Sequence, residues 1–318
     1  MTAPTNTVTG ATPNIGMRED LEDVIYRVAP EETPFCSNIG KAKASAITHE
    51  WQIESLADAD ETNAQLEGDD YTSGAANLTT RVKNICQIYA KAGSVSRTQE
   101  VVDLAGRASE LTRQKVLKGI ELRRDIEKRA IGNYASVAES GATTRKMAGI
   151  LAWITSNDSR GATGSDGGWG GTVVAAATPG TQRTFSETLV KAVLATTFGN
   201  GGKPTQAYMS GTHKQQFSAF TGIADIRADV SGKGMATIYG AADVYVSDFG
   251  AITLIPHAYG LTRDCVFVDP KMVAIATLDA VKSVELAKTG DAEKFLITAE
   301  KTLVVRNQKA HAVVADLT

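Results

Sequence analysis

Between Ala44 and Thr80 the chain carries eight acidic residues, Glu50, Glu54, Asp58, Asp60, Glu61, Glu67, Asp69 and Asp70, and no lysine or arginine. From Arg81 to Arg129 the order reverses, with twelve basic residues against six acidic ones. Over 318 residues these opposed segments nearly cancel, 33 Lys+Arg against 36 Asp+Glu, for a net charge of −3. A dedicated nucleic-acid-binding domain is strongly basic as a whole, and this chain is not. The charge order admits two readings: two solvated faces, or the acidic segment of one copy lying on the basic segment of another.

Within the acidic segment, Ile47, His49, Trp51 and Ile53 alternate with Thr48, Glu50, Gln52 and Glu54, the period of a half-buried strand. A second strand-like stretch, Leu78 to Ala92, contains Val82, Ile85, Ile88 and Tyr89. The polar connector 57–76 between them holds Glu67-Gly68-Asp69-Asp70, so the segment predicts a long hairpin with an irregular tip. An isolated hairpin of this length cannot bury its own apolar face in water, and Trp51 and Ile53 therefore require a partner surface.

The basic segment predicts a long helix. Thr98 to Tyr134 has no proline and, before Gly132 near its end, only two glycines, Gly106 and Gly119, which mark bends or close packing. Val101, Leu104, Ala105, Ala108 and Leu111 recur at helical spacing, resumed by Val116, Leu117, Ile120, Ile126 and Ala130. Ser96 with Gln99 gives a capping box at the start. One continuous helix here would be on the order of 50 Å long and would serve as a spine.

Before the hairpin, residues 1–16 read as a draped arm and Arg18 to Val28 as a short amphipathic helix, stopped at Pro30. After the spine, 146–154 (KMAGILAWI) is apolar and predicted buried. Gly161 to Gly171 holds six glycines in eleven residues and reads as a flexible surface loop. Helices are predicted over 186–198, capped by Ser186 and ended at Gly199, and over 212–220, with a strand at 204–210 and a loop at 221–234. Strand-like runs follow at 243–246, 252–255, 265–268, 273–277, 283–287, 295–299 and 302–306. The fold class is α+β, with β-structure dominating the last third.

No catalytic or metal motif emerges. His49, His213, His257 and His311 form no ligand spacing, Cys36, Cys86 and Cys265 form no CxxC pair, and there is no GxSxG elbow. Gly199-Asn-Gly-Gly-Lys203-Pro204 fails as a phosphate loop, because position 197 is Thr and Pro204 follows the lysine. It reads as a helix end and turn. The acidic cluster lacks the ligand order of a calcium loop. Catalytic residues, cofactors and metals are thus expected to be none. The longest apolar stretch is far short of the roughly 20 residues that span a bilayer, and the N-terminus lacks a secretory signal pattern. No membrane association is expected.

The order of arm, acidic hairpin, spine helix, central α/β segment and β-rich return resembles the major capsid proteins of tailed phages with the Hong Kong 97-type fold. More specific likeness lies in Tyr26-Arg-Val-Ala-Pro30, Glu32-Thr-Pro-Phe35, Ser37-Asn-Ile-Gly40 and Thr48-His-Glu-Trp51, with Leu66-Glu67-Gly68-Asp69 and Arg306-Asn-Gln-Lys-Ala-His311. The resemblance covers essentially the whole chain; the Gly-rich stretch 156–184 fits it least and reads as a subfamily insertion. It implies an N-arm (1–45), an extended E-loop (46–93), a P-domain (94–150 and 280–318) and an A-domain (151–279). It further implies a homo-oligomer of pentamers and hexamers in an icosahedral head shell that encloses phage DNA without specific recognition. Localisation would be the virion capsid, after assembly in the host cytoplasm. Partners would be a portal, a separate scaffolding protein (about 45 residues before the E-loop are too few for a fused one) and a decoration protein. The E-loop of one subunit would lie across a neighbour's P-domain, which makes Trp51, Ile53, Glu67, Asp69 and Asp70 on the loop, and Arg113, Arg123, Arg124, Lys128 and Arg129 on the spine, candidate inter-subunit contacts. No motif assigns a covalent Lys–Asn cross-link. The alternatives are an encapsulin-type compartment of the same fold, or an α+β hydrolase whose site is assembled from distant residues.

Overall fold

The computed structural model describes residues 27–57, 59–64, 66–68, 70, 74, 76–102, 106, 108–220, 243–288 and 290–318. The predicted arm, nearly all of the predicted helix 18–28 and the predicted loop 221–234 fall outside these residues.

The first described elements are a single helical turn α1 (Pro34–Asn38), strand β1 (Gly40–Lys43) and the hairpin strands β2 (Thr48–Ile53) and β3 (Thr80–Ile85). The strands β2 and β3 pair antiparallel, with Trp51 opposite Val82, and form a two-stranded sheet of their own. The run 78–92 predicted as one strand is split at Cys86. There the backbone N–H turns to donate to the Ile47 carbonyl, and the chain enters a different sheet as β4 (Gln87–Ser96).

The spine is shorter than its sequence suggests. A one-turn helix, α2 (Arg97–Val101), follows β4, and the main helix α3 runs Glu110–Ile131, 22 residues or about 33 Å. Gly106 adopts φ +71°, a left-handed conformation that a continuous helix of L-residues does not contain. Each piece has its own cap: Ser96 Oγ accepts from Gln99 N–H (3.3 Å), and Ser109 Oγ accepts from Thr112 N–H (3.2 Å). The Ser96 signal was correct, but it starts the short helix. Gly119 does not mark close packing, since a Cβ there would meet nothing within 4 Å.

The short helix α4 (Ile150–Trp153) is buried at all four positions, as its composition required. Strands β5 (Asp158–Ser159), β6 (Gly168–Trp169) and β7 (Val174–Ala175) lead to helix α5 (Glu187–Gly199), strand β8 (Gln206–Met209) and helix α6 (Gly211–Ser218). Ser186 occupies the cap position of α5 but makes no side-chain cap bond. Strands β9 (Val244–Ser247), β10 (Gly250–Pro256) and β11 (Cys265–Val268) follow. Two 14-residue strands, β12 (Val273–Leu286) and β13 (Ala292–Val305), replace the four short ones predicted there; register shifts between Thr277 and Lys282 had broken the sequence period. The last strand is β14 (Ala312–Val314).

Two larger sheets organise the body. One has the order β1-β12-β13-β4, and α3 lies across it. Leu122, Ile126, Ala130 and Ile131 of α3 enter the main core with Phe295, Ile297, Leu303 and Val305 of β13. The other sheet has the order β5-β14-β11-β8-β10-β9. A second core, built from Val190, Val193 and Leu194 of α5 and Phe217 of α6, packs on its Ala207, Met209, Ile252 and Phe267.

The Gly-rich segment is not the flexible loop expected of it. Strands β6 and β7 form a small hairpin in which a Cβ at Gly167 would collide with the Ala175 carbonyl oxygen, so glycine there permits close backbone approach. Asp316, held at φ +60°, accepts from the N–H groups of Gly161 (3.0 Å) and Gly180 (2.8 Å) and pins both ends of the segment.

Candidate inter-subunit surface

Beyond Ile53 the described loop has no strand until Thr80. Leu56, Leu66 and Leu78 stand 88%, 75% and 86% exposed, more than any other described leucine. Glu67 and Asp70 are also exposed, while Asp69 and Asp58 lie outside the described residues. Among the described residues, Glu50 and Asp60 are engaged locally. Glu50 faces Arg81 across the hairpin at 3.4 Å, and Asp60 Oδ1 accepts from both the N–H and the hydroxyl of Thr62.

Trp51 and Ile53 already have packing partners within their own subunit. They are half-buried against their own subunit's core, with the Trp51 ring 5.3 Å from that of buried Trp153. The partner surface that the hairpin's apolar face demanded is the body from which the hairpin springs. The unmet apolar surface belongs to the leucines farther out.

The five basic candidates on the spine separate by what holds them. Arg129 donates to the carbonyls of Met147 and Ala135, each at 2.8 Å, and stacks on Tyr134 at 4.5 Å. Its guanidinium ties the end of α3 to the following chain. Arg124 lies over the Tyr259 ring at 5.3 Å, and Arg113 pairs with Glu110 at 3.1 Å. Arg123 and Lys128 are exposed and have no ion pair among the described residues. Nearby cations are neutralised within the chain, Lys115 by Glu285, Lys118 by Glu121 and Lys91 by Asp125. Val116, 58% exposed, and the open space beside Gly119 leave part of the helix face uncovered.

A buried polar joint that the sequence did not reveal fastens the arm side of the chain to the spine. Fully buried Glu127 accepts from the backbone N–H groups of Phe35 (2.7 Å) and Cys36 (2.8 Å). His257 places Nε2 2.8 Å from Glu127 Oε1 and Nδ1 2.6 Å from the Tyr259 carbonyl oxygen. The Tyr259 backbone N–H lies 3.1 Å from the same Nδ1, and the roles of the two ring nitrogens follow the tautomer. Burial and Glu127 together push the Cys36 thiol well above its usual range, which keeps it protonated. The partners are 91 to 130 residues apart, and no spacing rule connects them.

Among the described residues no group of three or more His, Cys, Asp and Glu is placed to hold a metal ion, and the three cysteines are unpaired. No helix among them is long and apolar enough to cross a membrane.

The sequence pattern of the SU10 major capsid protein family matches residues 3–318, almost the entire chain. The chain belongs to the SU10 major capsid protein family. A curated relative, the major capsid protein of Escherichia phage Phieco32, is 33% identical over 120 residues. That match covers 38% of this chain and 34% of the relative's length. Solved structures share the whole fold at low identity. A chain from Mycobacterium phage Bobi superposes with a TM-score of 0.60 at 14% identity, covering 95% of this chain and 96% of its own. A chain of the capsid of a native GTA particle gives 0.61 at 12%, covering 99% and 100%. A chain of the Phage G assembly of major capsid and decoration proteins gives 0.56 at 13%, covering 98% and 100%. The fold of this capsid protein is the Hong Kong 97 type, α+β as its sequence order implied.

Proposed function

We propose that this capsid protein assembles into pentamers and hexamers that close an icosahedral shell around phage DNA, each subunit laying its acidic loop across the spine helix of a neighbour. The role is structural and non-catalytic, and DNA is enclosed without sequence recognition. Supporting this reading is the exposure of Leu56, Leu66 and Leu78 on a loop of unbroken negative charge. Burying one leucine contributes about 1.5–3 kcal/mol, against about 0–1 kcal/mol for an exposed ion pair. The leucines therefore supply affinity, while Glu67, Asp69 and Asp70 facing Arg123 and Lys128 set register and reject wrong contacts.

In domain terms, the proposed N-arm, E-loop, P-domain and A-domain keep the ranges given above, although the sheet β1-β12-β13-β4 draws residues from all four ranges and β14 pairs within the sheet of the A-domain range. A portal, a separate scaffolding protein and a decoration protein are the partners such a shell would use.

The test is assembly. Purified protein, with scaffold supplied where required, sediments as pentamers, hexamers or closed particles. Arg123→Glu with Lys128→Glu reduces particle yield while the subunit's unfolding temperature holds, and reversing Glu67 and Asp70 to Lys in the same chain partly restores it. Wild-type yield from the double reversal removes the electrostatic part. A protein that stays monomeric at high concentration with scaffold removes the whole reading.

A further inference from the structure

All three tryptophans of the chain stand in one stack. Trp51 on β2 meets Trp153 of α4 with ring centroids 5.3 Å apart, and Trp153 meets Trp169 of β6 at 6.4 Å with the planes only 11° apart. Trp153 is 3% exposed; the outer two are half-buried on the same core. The stack thus joins the root of the loop hairpin, the buried short helix behind it and the Gly-rich hairpin.

The two outer rings differ in how their backbones are held. The Gly-rich hairpin is fixed from several sides. Val174 N–H donates to Ser136 Oγ (2.7 Å), Ser136 N–H donates to the Val174 carbonyl (2.9 Å), and the Asn133 side chain bonds both the N–H and the carbonyl of Ala177. The loop hairpin belongs to neither large sheet, because β2 and β3 pair only with each other. On the β3 side, buried Asn84 donates to the Leu303 carbonyl (2.7 Å) and accepts from Ala148 N–H (2.9 Å). On the β2 side the attachment is the face of Trp51. Among the described residues neither the Trp51 nor the Trp153 indole N–H has a hydrogen-bond partner, so ring faces rather than directional bonds hold this contact. Such a contact can slide without breaking a hydrogen bond.

We propose that the Gly-rich hairpin is the backstop of the E-loop: acting through Trp153, Trp169 sets the angle at which the loop leaves the body, with Asn84 as the pivot. The Gly-rich segment thereby governs the direction of the loop. This does not depend on which surface of a neighbour the loop meets.

The experiment compares Trp169→Ala and Trp169→Phe in the full chain, with Cys36 replaced by Ser and spin labels on cysteines introduced at Glu54 and Lys191. Trp169→Ala broadens and shifts the distance distribution between the labels and loses the near-ultraviolet circular dichroism of the stacked indoles. Trp169→Phe keeps the native distance, because a ring still fills the position. Trp51→Ala, which cuts the stack at its other end and leaves the Gly-rich hairpin intact, gives the same broadening should Trp169→Ala fail to fold. Distributions for the alanine variants that superpose on the parent's overturn the proposal, as does equal broadening in Trp169→Phe.

Discussion

Glu127→Gln isolates the joint between the arm side of the chain and the spine, because it keeps the shape of the side chain and removes its charge and one acceptor. The native carboxylate accepts two backbone N–H bonds at 2.7 and 2.8 Å and contacts His257 Nε2 at 2.8 Å, all without solvent access. The amide offers one oxygen in place of two, so one of the backbone donors, Phe35 N–H or Cys36 N–H, faces an NH₂ group and goes unpaired. Losing a hydrogen bond to a charged group costs about 1.5–3 kcal/mol, and a stranded buried donor costs about 1–3 kcal/mol, overlapping measures of the same loss. The expected destabilisation is about 3 kcal/mol, near the lower end for breaking a buried pair, and lowers Tm by roughly 5 °C or more. Thermal unfolding of unassembled subunit measures the total. Hydrogen exchange of the peptide 33–39 measures the location, since the Phe35 and Cys36 amides lose protection first. A Tm within about one degree of wild type, with exchange of that peptide unchanged, refutes the reasoning.

Acid acts on this fold in two opposed ways. Burial, with Asp316 alongside, raises Asp264 to about 6, so its contribution to stability is present at low pH and lost as pH rises through 6. Asp264→Asn therefore stabilises the subunit at pH 7.5 by on the order of 1 kcal/mol after solvent screening, and the difference vanishes at pH 4, as thermal melts at the two pH values would show. Fully buried His311 is pushed down to about 4 by desolvation; its contribution holds above pH 6.5 and is lost as pH falls toward 4, about 3 kcal/mol in all. His311→Asn flattens that acid limb in a pH series of melts. Leu56→Ser combined with Leu78→Ser leaves the subunit's Tm unchanged, because both side chains are already in water, yet lowers particle yield in sedimentation by more than the Arg123→Glu, Lys128→Glu pair.

What the sequence disclosed and what it hid follow from range. The alternation through His49 to Ile53, the cap at Ser96, the helix read over 186–198 and found at Glu187–Gly199, and the apolar run 146–154 are local signals, and each was legible in the sequence. The spine was overextended because apolar spacing continues across Gly106, whose positive φ no periodicity announces. Glycine density was misread as flexibility, since composition alone does not distinguish a glycine in open solvent from Gly167 pressed against another strand's carbonyl. Charge order drew attention to the loop and spine, but it did not separate Arg129, spent on two carbonyls, from exposed Arg123. The Glu127–His257 joint and the tryptophan stack bring together residues far apart in the chain, and neither left a pattern to read.

The central claim is that the acidic loop of one subunit rests on the spine helix of the next. Electron cryomicroscopy of particles assembled from the purified protein tests it directly, through the position of density for residues 54–79. The account predicts closed shells in which that density crosses helix 110–131 of a neighbouring subunit, with Leu56 and Leu78 buried there. A loop folded back on its own subunit, or a shell whose subunits meet only through other surfaces, would contradict it.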